Sequence, residues 1–377
     1  MGRGQHALLV ASTIGFAALS MAMGGEAWGQ GYIQSNLVSD GGAGGGGVNI
    51  KAKFTDPQLQ NPWGISFLPG SPFWVSDNNT NLTTLYNGDG TPFTPAAAGG
   101  GFIIPGGAAS GQVANANNNP AFGTFMIPNA PGTSGTAPAD FIFDSENGII
   151  SAWQPGDGQN AVTLVDNSAS HAVYKGLAMA SNTAGFFLYA TNFHAGRVEM
   201  YDSTFKLVKS FSDPGVPAGF APFGIANIGG DLYVTFAKQN AAKHDDVAGP
   251  GNGYVDIFNS NGILIRRFAS QGALNSPWGV ALAPSDFGVM SNAVLIGNFG
   301  NGWINAYSTS GQFLGAMTDT NSNPIHIDGL WSIAFGSSVW GGVSGALSNA
   351  LYFTAGPGNE MDGVFGTLLP QKTSGAN

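Results

Sequence analysis

The chain has 377 residues, of which 59 are Gly, 26 Phe and none Cys, with 43% hydrophobic and 9% charged. Twelve Lys+Arg against 22 Asp+Glu give a formal charge of −10 with no basic run, which argues against nucleic-acid binding by phosphate neutralisation. The absence of Cys excludes a disulfide framework, a thiolate zinc site and a cysteine nucleophile together, and glycines without a three-residue period exclude a collagen-like fibre.

Residues 1–29 read as a secretory signal: Arg3 gives a short positive start, residues 7–23 are an apolar run, and Ala27-Trp28-Gly29 offers small residues before Gln30. The run is short and rich in Ala, Gly and Ser for a membrane span, so the expectation is cleavage and export, with no stable membrane anchor. The mature chain then opens on Tyr32-Ile33-Gln34-Ser35-Asn36-Leu37-Val38, a strand-like segment.

Downstream a marker recurs as Pro62-Trp63-Gly64-Ile65, Pro222-Phe223-Gly224-Ile225 and Pro277-Trp278-Gly279-Val280. Weaker copies are Ala121-Phe122-Gly123-Thr124, Tyr174-Lys175-Gly176-Leu177 and Leu330-Trp331-Ser332-Ile333. Taken at Gly64, Gly123, Gly176, Gly224, Gly279 and Ser332, the spacings are 59, 53, 48, 55 and 53 residues. Each marker precedes short β-branched or aromatic runs bounded by Gly, Asn and Asp, such as Phe73-Trp74-Val75 then Thr84-Leu85-Tyr86, and these runs are strands rather than helices. Four antiparallel strands repeated at about 40–50 residues describe a propeller blade. The expected fold is therefore an all-β, six-bladed propeller over residues 30–368, followed by a polar tail at 369–377. The sixth unit runs out after three strands, at Gly363-Val364-Phe365-Gly366-Thr367-Leu368, so residues 32–38 are expected to close its blade from the N-terminus. Residues 96–119 and 239–253 are expected to be loops.

Taken together, Asn36-Leu37-Val38-Ser39-Asp40, Asn61-Pro62-Trp63-Gly64, Phe73-Trp74-Val75-Ser76-Asp77, Tyr174-Lys175-Gly176-Leu177-Ala178, Gly297-Asn298-Phe299-Gly300 and Asp328-Gly329-Leu330-Trp331 carry a resemblance. The chain resembles a secreted bacterial propeller family found beside the PEP-CTERM sorting system, distantly similar to NHL-repeat and gluconolactonase-type propellers. The resemblance implies the propeller fold and export, and brings no assigned activity. The C-terminus lacks the Pro-Glu-Pro sorting signal of some relatives, and the metal-binding residues of gluconolactonase-type enzymes have no motif that aligns here.

Because the chain reverses at every turn of a blade, first-strand entries and the loops between second and third strands must share one face. That rule puts Trp63, Phe122, Lys175, Phe223, Trp278 and Trp331 at equivalent positions. These aromatics either pack the blades together or, with Asn298, form a stacking surface for a carbohydrate or other flat ligand. Lys175 stands apart as a surface group, the partner of a carboxylate, or an anion contact. On the same face, His194, His326, Asp328, Glu360 and Asp77 are candidate ligands for calcium or another divalent cation, although no pair has a diagnostic spacing and turn chemistry explains Asn and Asp equally well. Lys243-His244-Asp245-Asp246 and Asp144-Ser145-Glu146 are further charge clusters, readable as partner or metal contacts or as ordinary loop tips. No Gly-x-Ser-x-Gly elbow, Walker loop, dinucleotide fingerprint or HExxH is present. The favoured expectation is a secreted propeller that binds a small ligand or an extracellular protein. The alternative is a divalent-metal-dependent hydrolase or lactonase with its site at the channel mouth.

Overall fold

The computed structural model describes residues 28–93, 101–118, 124–128, 135–338 and 341–372. The expected leader, apart from its last residues, lies outside these, as do Phe122 and Gly123.

Six blades of four antiparallel strands are arranged in a ring, the sixth carrying a further two-residue strand, Phe54–Thr55, paired in parallel on its outer edge. In blade 1 the order from the axis outward is Pro62–Ser66, Phe73–Asp77, Leu82–Tyr86 and Phe102–Ile103. Blades 3, 4 and 5 start on Tyr174–Asn182, Phe220–Ile228 and Pro277–Leu282 and follow the same simple order. Each first strand touches the first strands of both neighbouring blades, so the ring is closed. Apolar residues on each blade face bury against the next blade: Trp74 of blade 1, for example, stacks on Phe141 of blade 2 with ring centroids 3.9 Å apart. Such face-to-face packing gives strands buried on both sides, which is why Phe73–Asp77 and Ile304–Tyr307 are buried throughout instead of alternating.

The expected closure is observed. Blade 6 holds Leu330–Phe335, Leu351–Ala355 and Val364–Lys372 in sequence order, and its fourth strand is Trp28–Ser39 from the N-terminal side of the chain. The register pairs Gln34 with Leu368 and Asn36 with Gly366. Tyr32 is buried there and donates its hydroxyl to the Phe287 carbonyl at 2.8 Å, which ties the closing strand to blade 5. The last strand continues past the expected end of the propeller at 368, with Leu369 opposite Ile33 and Pro370 opposite Tyr32.

Blade 2 corrects the sequence reading. Its first strand is Ala109–Ala114, inside the stretch expected to be a loop, and not the Phe122 segment. The sequence Ala-Ser-Gly-Gln-Val-Ala has almost none of the bulk that marks the other first strands. It forms one because both of its sides are covered by neighbours, so small residues fit where a large side chain has no room.

Candidate functional site

The recurrent marker has a geometric meaning. In each first strand the ladder skips a residue, so that two residues oppose one: Trp63-Gly64 face Ser76, Ser110-Gly111 face Asp144, Lys175-Gly176 face Thr191, Phe223-Gly224 face Thr235, Trp278-Gly279 face Gly297 and Trp331-Ser332 face Thr354. These are β-bulges, which bend the strand and re-aim a side chain. Here the first residue of five pairs, Trp63, Lys175, Phe223, Trp278 and Trp331, turns toward the propeller axis. The glycine after it lets adjacent blades approach: a Cβ on Gly224 would lie 2.1 Å from the Trp278 carbonyl oxygen, and one on Gly111 2.4 Å from the Leu177 nitrogen. In blades 2, 3, 4 and 6 the opposing residue supplies a polar group that satisfies backbone freed by the bulge. Gly224 N–H donates to Thr235 Oγ1 at 2.8 Å, Ser332 N–H to Thr354 Oγ1 at 3.1 Å, and Thr354 Oγ1 in turn donates to the Trp63 carbonyl of the next blade at 2.6 Å. In blade 2 a carboxylate does this work: Asp144 Oδ1 accepts from Gly111 N–H at 2.6 Å and from Ser110 Oγ at 2.8 Å. Burial pushes Asp144 up to about 7 despite those two donors.

The inward-turned residues meet on the axis and fill it. Trp63 and Trp331 stack at 3.5 Å, Phe299 stacks on the other side of Trp331 at 4.0 Å, and Trp278 meets both tryptophans edge-on at 5.8–6.2 Å. Trp63, Phe223, Trp278 and Trp331 are all buried, in one cluster with Phe193. Of the two readings of this ring, packing is the one observed; an open stacking surface on these residues is not present. The sixth position belongs to Ser110, not Phe122. Asn298 is also buried and is used structurally, its amide donating to the Ala273 carbonyl at 2.8 Å and to Asn301 Oδ1 at 3.1 Å.

Lys175 is the charged member of the plug. Its side chain is 3% exposed, its ammonium pairs with Glu146 and lies 3.6 Å from Asp245, and it sits over the Trp63 ring at 5.1 Å. Glu146 comes from the turn after the second strand of blade 2, and Asp245 from the long loop of blade 4. Glu360 and Asp246 complete the surroundings: both feel the Lys175 charge, and Glu360 accepts from Asn61 Nδ2 at 3.2 Å. Burial raises Glu360 to about 7, against the lowering effect of Lys175 and Asn61. Asp246 is raised by burial as well. Asp245 is also desolvated, but its hydrogen bond from His244 and the Lys175 charge win, and it lies below the ordinary carboxylate range. Glu360 is held in the left-handed region at φ 65°, directly after Asn359 at 57° and Gly358 at 68°. Two non-glycine residues in succession there mark a strained turn, of the kind that clusters at functional sites.

Four carboxylates and one ammonium therefore gather at one end of the axis, in a protein with few charges. Among the described residues, the one group of three side chains spaced for a metal ion is Glu146, His244 and Asp245, whose ligand atoms lie within 4.8 Å of one another. The five residues expected as ligands are not brought together. Asp77 is fully buried in its strand, accepting from Thr84 N–H at 3.2 Å, and burial raises it well above the usual range. His194 faces His171, ring centroids 6.3 Å apart. His326 and Asp328 are exposed, and Asp328 accepts from the Gly358 backbone at 3.3 Å. Of that set, only Glu360 reaches the Lys175 cluster. The face-sharing rule placed Glu146, Asp245 and Asp246 at the right end of the molecule but could not rank them: each lies in a turn rich in polar residues, and the distinguishing signal is convergence across three blades.

No protein-family model matches the chain. Two uncharacterised proteins of Acanthamoeba polyphaga mimivirus are each 30% identical to it, one over 84% of this chain and 77% of the viral protein, the other over 85% and 83%. The chain belongs to the family of these mimivirus proteins. Among solved structures, a streptogramin B lyase has the same fold at a TM-score of 0.50 and 13% identity, over 92% of this chain and 100% of that one. A virginiamycin B lyase from Staphylococcus aureus superposes at 0.47 and 15% identity, over 90% and 98%. At these identities the likeness is one of fold. The family relatives found are viral, and nothing in them supports the expected kinship with bacterial PEP-CTERM systems.

Proposed function

We propose that the protein is a ligand-binding propeller whose working end is the one carrying Lys175, with Glu146, His244 and Asp245 holding a divalent cation there. The observation that carries this reading is the convergence of those three groups, with Glu360 and Asp246, around a single buried ammonium. One lysine leaves the four carboxylates with surplus negative charge, and a hard or borderline cation suits carboxylate plus imidazole. A bound cation would then present open positions to the oxygens of a carbohydrate or another small ligand. Export remains part of the proposal, resting on the first 29 residues, as does kinship with secreted bacterial propellers, resting on the motif residues alone.

Calorimetry and thermal-shift titration of the full chain with calcium, zinc and manganese test the reading. It requires saturable uptake of one ion that is lost in Asp245→Asn, an exposed position whose change leaves the fold intact. If no ion binds, Lys175 is itself the permanent cation and the end is a protein-contact surface. If Asp328→Ala abolishes uptake and Asp245→Asn does not, the ligands are those around His326 instead.

A second reading, a metal-dependent hydrolase or lactonase, is favoured by one feature: Glu360 is raised to about 7 and strained beside the cluster, as a general base working near neutral pH would be. Lactone hydrolysis that needs the cation and disappears in Glu360→Gln would establish it.

A further inference from the structure

The other end of the axis is built differently. Past each bulge the first strands continue through Ile65, Gln112, Leu177, Ile225, Val280 and Ile333, and between them lies a cavity of about 720 Å³. Its lining includes Gly64, Gly111 and Gly279 from the bulges and Trp278 from the plug. Its walls are mostly aliphatic, with Phe67 and Phe186 among them and Ser66, Gln112, Asn117, Ser181, Asn227 and Ser332 as neutral polar groups. The described lining carries no charged side chain.

We infer that this cavity is a second binding site, for a neutral, largely apolar small molecule bearing hydrogen-bonding groups. Three observations select that chemistry. The volume falls within the range of roughly 300–1,000 Å³ typical of small-molecule pockets, and the aromatic plug gives it a closed end. A net charge on the ligand finds no counter-charge in the walls and is desolvated without compensation. Each of the six first strands is paired on one side only, to its own second strand, so its other edge carries backbone N–H and C=O groups outside the ladder, of which the Gly64 and Met179 carbonyls are taken by the Gln112 and Asn227 side chains. Those not so taken reward a ligand that carries donors and acceptors on an apolar frame, and a purely hydrocarbon ligand leaves them unpaired. The site is separate from the Lys175 cluster, and its existence does not depend on the cation proposed there.

The test uses the uncharged, solvent-sensitive dye Nile red with the full chain. One saturable site with strongly enhanced, blue-shifted emission is expected. Because the chain contains no Cys, Ser181→Cys at the exposed rim takes a bulky maleimide at one position only; the labelled protein should lose at least tenfold in affinity, and the unlabelled variant should bind normally. Ile225→Glu, which places a charge in the wall, should lower affinity by a similar factor with its thermal melt recorded alongside. Ile265→Lys, on the exposed outer strand of blade 4, should change nothing. The inference is overturned if no saturable binding is seen, if the labelled rim variant binds as tightly as the unlabelled one, or if Ile265→Lys is the change that removes binding.

Discussion

The two ends of the propeller axis are made from the same six strands and differ in almost every property. At the bulge, five of the six strands contribute a large or charged residue that turns inward, blade 2 contributing Ser110 instead, and the result is a plug of stacked aromatics capped by four carboxylates and one lysine. After the bulge, the same strands contribute aliphatic residues in five blades and Gln112 in blade 2, and open space is left between them. The difference shows what a bulge does in a closed ring: it fixes the level along the axis at which side chains point at one another. On one side of that level the channel is filled, and on the other the strand edges line a cavity. A single repeated local irregularity thus separates a charged, filled end from a neutral, open one.

The sharpest way to break this comparison is to remove the charge that organises the filled end. Lys175→Met keeps most of the volume but leaves Glu146 and its neighbours without their buried ammonium. Breaking a buried pair from one side typically costs about 3–5 kcal/mol, and urea unfolding should show a loss of that size. Because the plug separates the ends, Nile red affinity at the opposite cavity should be unchanged. A loss below about 1 kcal/mol would mean that the ammonium is screened as at an ordinary surface, where such pairs contribute little.

How much of this was legible in the sequence follows from the same geometry. The period, the six blades and closure by residues 32–38 could all be read, because strand length, turn residues and marker spacing are local signals. The blade 2 marker could not: Ser110-Gly111 has no bulk, and the nearby Phe122 offered a better match to the pattern. Equivalence of Trp63, Lys175, Phe223, Trp278 and Trp331 was visible, yet whether they face outward to a ligand or inward to each other depends on the bulge, which is a property of pairing register. For the charged residues, the sequence could assign a face but not a radius, so His326 and Asp328 at the surface looked the same as Glu146 and Glu360 near the axis.

A smaller effect is expected from the level that divides the two ends. Gly224→Ala places a methyl group 2.1 Å from the Trp278 carbonyl oxygen, closer than atoms tolerate, so the strands of blades 4 and 5 must move apart. Overpacking of this kind costs about 1–3 kcal/mol. Phe223 belongs to the plug and Ile225 to the cavity wall, so the shift should register at both ends, lowering dye affinity as well as the melting temperature. Loss of stability with unaltered dye binding would show that the ring level and the cavity are mechanically independent.

The smallest effect concerns the one bulge held by a carboxylate. Asp144 is raised to about 7 by burial, whereas the unfolded chain ionises it at the ordinary value of 3.8. The folded protein therefore holds a proton that the unfolded chain has released over this interval. The sign follows directly: the stabilising protonation is fully present below the unfolded value and is lost as pH rises through about 7. Glu360 and Asp256, each also raised to about 7, contribute in the same sense, so stability should fall from pH 5 to pH 8. Asp144→Asn preserves the Oδ1 acceptor for Gly111 and Ser110 and cannot ionise. Relative to the parent it should gain about 1–2 kcal/mol of stability between pH 5 and pH 8, a fraction of the conversion from shift to free energy. Urea midpoints at the two pH values measure this difference. A constant offset between the proteins would show that Asp144 does not titrate in this range, and that the Gly111 N–H and the Ser110 hydroxyl hold it ionised within the ring.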